Sequence, residues 1–172
     1  MAEKTVLKSG PSLRLPAVAV LLVIAAAIFL ALRVLDPPKA LPADAPTSEF
    51  SAERAFALLK VVAAEPHPVG TPAHDRVRDA ILRMWRDLGF EPEVQPGLHV
   101  EPEDHFAARV ENILVRLPGT KPTRNGAVML ASHYDSVEPS FGAADAGSGV
   151  VTLLETARAL KAGPQLPEDV IF

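Results

Sequence analysis

The sequence predicts an α/β protein: a mixed, mostly parallel sheet sandwiched by helices and preceded by one transmembrane helix. Three observations carry this expectation. Residues 15–32 are apolar and uncharged, residues 51–88 hold two stretches with apolar side chains at helical spacing, and residues 127–172 read strand, loop, helix, strand. That last order is one βαβ unit, which implies parallel pairing and a right-handed crossover. With 172 residues, 48% of them hydrophobic, the chain has material for one modest core.

Charge divides the chain. Lys4, Lys8, Arg14 and Arg33 against Glu3 give residues 1–35 a balance of +3, so with a net charge of −4 residues 36–172 carry −7. Neutralising phosphates requires a basic face, so no nucleic-acid partner is expected. The absence of cysteine removes disulfides, thiol nucleophiles and Cys-ligated zinc together. Any metal must therefore be held by imidazole and carboxylate.

Taken in order, residues 15–32 (LPAVAVLLVIAAAIFLAL) cover about 27 Å as a helix, close to the hydrocarbon thickness of a bilayer. The reading is a retained membrane anchor over residues 15–35, with a cleaved signal peptide as the alternative. Lys4, Lys8 and Arg14 outnumber Arg33 and Lys39. The positive-inside rule then puts residues 1–14 in the cytoplasm and the rest outside it, in a periplasm or lumen. Residues 36–49, with four prolines, read as a semi-rigid spacer, and the folded domain is expected over residues 50–172. Ser51 can cap a helix bearing Ala55, Leu58, Leu59 and Val62, which ends before Pro66. A second helix is expected from Pro72 to Leu88, with Val77, Ile81, Met84, Trp85 and Leu88 on one side and Gly89 at the C′ position. Phe56 and Trp85 are expected in the core.

A strand is expected over residues 90–95, broken by residues 96–105. Residues 110–117 should form a second strand, and the apolar run 127–131 a third, buried on both faces. Residues 149–160 show helical spacing, and Val170 opens a further strand. His67 and His74 flank a Pro/Gly loop. They read as exposed loop histidines, with lining a substrate pocket as the other use. His99 and His105 are expected in a solvated acidic loop.

Candidate chemistry lies in residues 131–150, ASHYDSVEPSFGAADAGSGV. Because side chains alternate in extended backbone, His133 and Asp135 should project to one side and Tyr134 to the other, at the carboxyl end of a strand, where open α/β sheets place their crevices. Asp145 follows twelve residues later in a Gly/Ala loop that can return it to the same mouth. An imidazole and a carboxylate suit zinc or another divalent first-row ion, and a second carboxylate can orient the imidazole. Taken singly, Asp145 could equally be a helix N-cap, His133 a strand-end histidine and Asp135 the start of an Asx turn.

Jointly, HYDS at 133–136, GAAD at 142–145 and SGVVTLLETARAL at 148–160 closely resemble the M28 family of metallopeptidases, aminopeptidase-type enzymes with paired zinc ions. HPVGTPAH at 67–74 and VENILVRLPGT at 110–120 look like the family's opening segment and second strand, and the single amino-terminal span is similar to its membrane-anchored members. The resemblance implies a zinc-exopeptidase-like fold, two Zn2+ ions, a peptide substrate and membrane attachment through the amino-terminal helix. It implies that His133 binds one zinc, that Asp145 bridges the two, and that Asp135, behind the histidine, counts as catalytic because it tunes the site. Ala146 departs from the family, which usually has Asn or Asp there. The family's paired glutamates, a further acidic ligand and a final histidine lie beyond the strand that begins at Val170. The chain is thus expected to be the amino-terminal part of a longer domain, with little peptidase activity of its own. Glutaminyl cyclisation on the same fold, or a non-catalytic ectodomain that binds partners, are the alternatives. The sequence specifies no oligomeric state.

Overall fold

A computed structural model describes residues 14–103, 105–121 and 126–172. Most of the expected cytoplasmic segment, residues 1–13, and Asp104 of the acidic stretch lie outside the described residues. The chain divides into two units, the first ending at Lys39 and the second spanning Ala40–Phe172.

In the first unit, α1 (Arg14–Val34) is a 21-residue helix. Its stretch Pro16–Val34 is long and apolar enough to cross a membrane, and none of it is buried within the protein. At its end Arg33 lies over the Phe29 ring, 5.5 Å from the centroid, and pairs with Asp36 at 3.4 Å.

The second unit begins with helices whose ends are written locally. In α2 (Ala52–Val62) the Ser51 hydroxyl accepts the Arg54 N–H, and in α3 (Pro72–Asp87) the Thr71 hydroxyl accepts the His74 N–H. Pro72 takes the first position of α3, where its missing N–H costs nothing. Gly89 follows the helix with φ 72°, and Lys161 Nζ donates to the Leu88 and Gly89 carbonyls at 2.7 Å each. The inward face of α3 buries Val77, Ile81 and Trp85. Phe56 is not in the core. It sits 59% exposed beneath Lys60, because α2 turns Ala55 and Val62 inward and position 56 is rotated about 100° from Ala55.

The first strand also departs from expectation. Phe90 precedes it and is buried edge-on against Trp85, with ring centroids 5.6 Å apart. The strand β1 (Glu93–Glu101) runs straight through Pro96 and Gly97 and pairs antiparallel with β2 (Phe106–Leu114), from Glu93 opposite Leu114 to Glu101 opposite Phe106. Pro96 is tolerated because, among the described residues, β1 has a single neighbour, so its missing N–H can lie on the unpaired side. The pairing ends at Glu101 opposite Phe106, and His105 just before β2 takes φ 53°. His99 is therefore an exposed strand residue rather than a loop residue.

A three-stranded mixed sheet follows, in the order β3 (Arg116–Leu117), β5 (Val170–Ile171), β4 (Val128–Met129). β3 is antiparallel to β5, and Val115 and Phe172 exchange two backbone bonds of 2.8 Å that extend this pairing towards β2. β4 is parallel to β5, with α4 (Ser148–Ala162) between them in sequence, which is the expected βαβ order. The apolar run at 127–131 is shorter as a strand and less covered than expected. Among the described residues β4 sits at the sheet edge with β5 alone beside it, and Val128 and Met129 are 53% and 65% exposed. The core gathers Val62, Ile81, Trp85, Phe90, Leu154 and Phe172 among others, so α2, α3 and α4 share one interior with β5.

Gly119 shows how tightly the loops around this sheet close. Its N–H reaches Asp169 Oδ1 at 2.8 Å, and a Cβ there would stand 2.4 Å from the Pro167 carbonyl oxygen and 2.5 Å from the Glu168 carbonyl carbon. Backbone cannot give way as a flexible side chain can. Gly119→Ala should lower stability by about 2 kcal/mol, measured by urea unfolding of the detergent-solubilised chain through the fluorescence of Trp85, its one tryptophan.

Candidate metal centre

Beyond β4 the chain stays extended, and its side chains alternate as the sequence predicts. Tyr134 points to one side, where its ring stacks on His74 at 4.7 Å with 17° between planes and its hydroxyl donates to the Glu111 carbonyl at 2.8 Å. His133 and Asp135 share the other side, with His133 Nδ1 3.1 Å from Asp135 Oδ1.

Asp145 reaches the same place by a wide turn. Gly142 opens it in the left-handed region (φ 65°, ψ 20°), the Gly147 N–H closes it on the Gly142 carbonyl at 2.8 Å, and Asp145 itself is extended (φ −125°, ψ 92°). The carboxylate then lies 2.8 Å from His133 Nε2. It does not cap α4, whose start has no side-chain cap. The turn is braced from below: the Ser136 N–H donates to the His67 carbonyl at 3.3 Å, and the His67 N–H donates to Ser136 Oγ at 2.8 Å. Both residues are buried, and so is His74 on α3, so neither His67 nor His74 is an exposed loop histidine.

The electrostatics follow from this arrangement. Carboxylates only accept, so a carboxylate oxygen at each nitrogen favours the protonated imidazole, which donates from both. Burial alone would lower the His133 pKa. The hydrogen bond to Asp145 and the charge of Asp135 outweigh it, and the pKa lies above the usual histidine value. His74 goes the other way, because burial dominates over the charge of Asp135. Burial and the nearby Glu111 push the Tyr134 hydroxyl up to about 12, so it remains a donor at neutral pH.

This donor set fits a metal ion in part. In the protonated ring the Nε2 proton faces Asp145, which is where a cation would replace it, while Asp135 on Nδ1 fixes the ring. His133 and Asp145 supply two donors. Among the described residues no cluster of three or more His, Asp or Glu converges to complete a shell.

Comparison with known proteins agrees with this architecture. Residues 112–172 match the profile of Peptidase family M28. The chain is 32% identical over 149 residues to a vacuolar membrane protease of Schizophyllum commune, covering 82% of this chain and 16% of that protein. Among solved structures, a glutaminyl cyclase from an Acidobacteriales bacterium superposes with a TM-score of 0.61 at 26% identity, covering 77% of this chain and 47% of the other. A Zn-dependent exopeptidase from Parabacteroides distasonis shares the fold, with a TM-score of 0.58 at 23% identity over 74% of this chain and 47% of that one. The chain thus spans about half of these solved chains and 16% of the curated relative.

The class defined here is an α/β domain of the zinc-exopeptidase type, with an imidazole and a carboxylate meeting beyond a sheet-edge strand. The match over residues 112–172 places that part of the chain in peptidase family M28.

Proposed function

We propose that this chain carries part of a membrane-anchored, zinc-dependent exopeptidase of aminopeptidase type. The observation that carries the reading is the 2.8 Å approach of Asp145 to His133 Nε2, with Asp135 behind Nδ1. His133, through Nε2, and Asp145 would hold zinc, and Asp135 keeps the Nδ1 proton in place and raises the basicity of the ligating nitrogen. When bound, zinc polarises a scissile carbonyl and acidifies a water molecule. The remaining ligands and the general base belong to other parts of the whole protein. The name of the Schizophyllum relative supports a membrane protease. The basic residues ahead of α1 support a cytoplasmic amino terminus with the domain on the far side. Glutaminyl cyclisation is the second reading, favoured by the Acidobacteriales neighbour, and differs in releasing ammonia rather than an amino acid.

Zinc binding by the chain itself tests the reading. A proton on His133 must leave before Nε2 can ligate, and its pKa is raised, so affinity should fall as pH drops below that pKa, by about tenfold per unit for one displaced proton. The metal-free contact has the opposite pH dependence: its stabilising effect is present below the ordinary histidine pKa and is lost as pH rises through the raised one. Competition against a chelating dye between pH 6 and 8 measures the slope. Absence of saturable binding, or an affinity independent of pH, would overturn the reading.

A further inference from the structure

Residues 131–135 bear His133 and Asp135, yet among the described residues no backbone-to-backbone hydrogen bond holds them. The ladder to β5 ends with the Leu130 N–H on the Ile171 carbonyl at 2.9 Å, and the next backbone tie is the Ser136 N–H to His67. Packing does not close the gap either, because all five residues border a cavity of about 450 Å³. A segment so placed owes its direction to side-chain anchors.

Tyr134 is the anchor at its centre. Its ring lies against His74 in the first turn of α3, and its hydroxyl reaches across to the Glu111 carbonyl of β2. Both supports are fixed in turn. The His74 N–H bonds the Thr71 cap at 3.2 Å, and the Glu111 carboxylate pairs with Arg78 of the same helix.

Resting on the metal reading above, we propose that Tyr134, clamped between His74 and the Glu111 carbonyl, is a positioning residue that aims His133 and Asp135 at a divalent metal ion. Alternation makes the link mechanical. With the ring of residue 134 fixed on one side, the peptide planes before and after it are fixed, and so are the directions of its two neighbours. Ligands must be held within about 0.5 Å of productive geometry, and loss of supporting partners of this kind costs roughly 10- to 100-fold in metal affinity.

The test uses the full chain in detergent micelles, with Co2+ as a visible probe and Zn2+ as competitor. Tyr134→Phe removes only the hydroxyl, His74→Ala removes the stack, and His74→Phe restores an aromatic face. Tyr134→Phe and His74→Ala should each weaken Co2+ binding roughly tenfold. His74→Phe should recover most of that loss, and the unfolding midpoints of Tyr134→Phe and His74→Phe should match the unmodified chain. Unchanged affinity in Tyr134→Phe and His74→Ala overturns the positioning role and leaves the metal reading standing. Failure of the unmodified chain to bind Co2+ overturns both.

Discussion

Glu155→Ala should destabilise the chain by about 3 kcal/mol, a large part of the stability of a domain this size. Glu155 lies in α4 with a side chain only 2% exposed, and its carboxylate is saturated with donors. Oε1 accepts the Ser51 N–H at 2.7 Å, Arg54 Nε at 3.0 Å and Arg158 Nη2 at 2.7 Å, while Oε2 accepts Arg158 Nε at 2.7 Å. Truncation removes the acceptor they share and leaves two guanidinium groups, 21% and 18% exposed, without their counter-charge. The damage should spread. Arg54 also donates to the Ala43, Ala45 and Glu49 carbonyls at 2.6–2.8 Å, and Arg158 reaches the Thr47 and Glu49 carbonyls. Residues 43–49, part of the stretch 36–49 read from sequence as a spacer, are thus strapped to the helices through these two arginines.

The same carboxylate makes stability depend on pH. Burial would raise the Glu155 pKa, but the Arg158, Ser51 and Arg54 donors prevail and lower it. A depressed folded-state pKa means that the contribution is complete above the ordinary value of 4.5 and is lost as pH falls through the folded-state pKa. Urea unfolding at pH 7 read by Trp85 fluorescence gives the loss, and Glu155→Gln, which keeps the acceptor without the charge, should fall between the two. An alanine variant as stable as the unmodified chain at pH 7, with the same acid sensitivity, would show that the network is not holding these elements.

The network also marks the limit of what could be read from the chain alone. α2, α3 and α4 were legible because their determinants are local: an apolar stripe of helical period, Ser51 as a cap, Gly89 as a stop. The geometry of His133 and Asp135 was legible for the same reason, being a consequence of alternation over three residues. Asp145 needed only a glycine-opened turn. The course of β1 was not legible, since Pro96 and Gly97 break a strand unless tertiary context leaves one edge free, and no local pattern says which edge that is. The exposure of β4 likewise depends on how many strands flank it. Least visible were the polar ties between distant segments. Glu111 to Tyr134, His67 to Ser136 and Arg54 to Glu155 span 23, 69 and 101 residues, and pairs at such separations have no signature in a single sequence.

Gly142→Ala should lower zinc affinity by about a hundredfold, although residue 142 contributes no ligand. A Cβ at Gly142 would stand 2.8 Å from Ser136 Cβ and 3.4 Å from His67 Cε1, on a residue whose φ of 65° already disfavours alanine. Ser136 cannot withdraw, because it is buried and held to His67 through both its N–H and its hydroxyl. The turn must move instead, and Asp145 is inside it, three residues beyond the clash. Displacement of the carboxylate by even 1 Å would separate it from His133 Nε2, from which it now lies 2.8 Å away. Gly70→Ala separates this effect from the cost of the backbone alone. Gly70 has φ 82° but nothing within 4 Å of its added Cβ, so that variant should lose about 1 kcal/mol of stability and bind zinc as before. Dye competition on both variants decides the matter: equal zinc affinity in Gly142→Ala and Gly70→Ala would mean that the position of the 142–147 turn does not govern the metal pair.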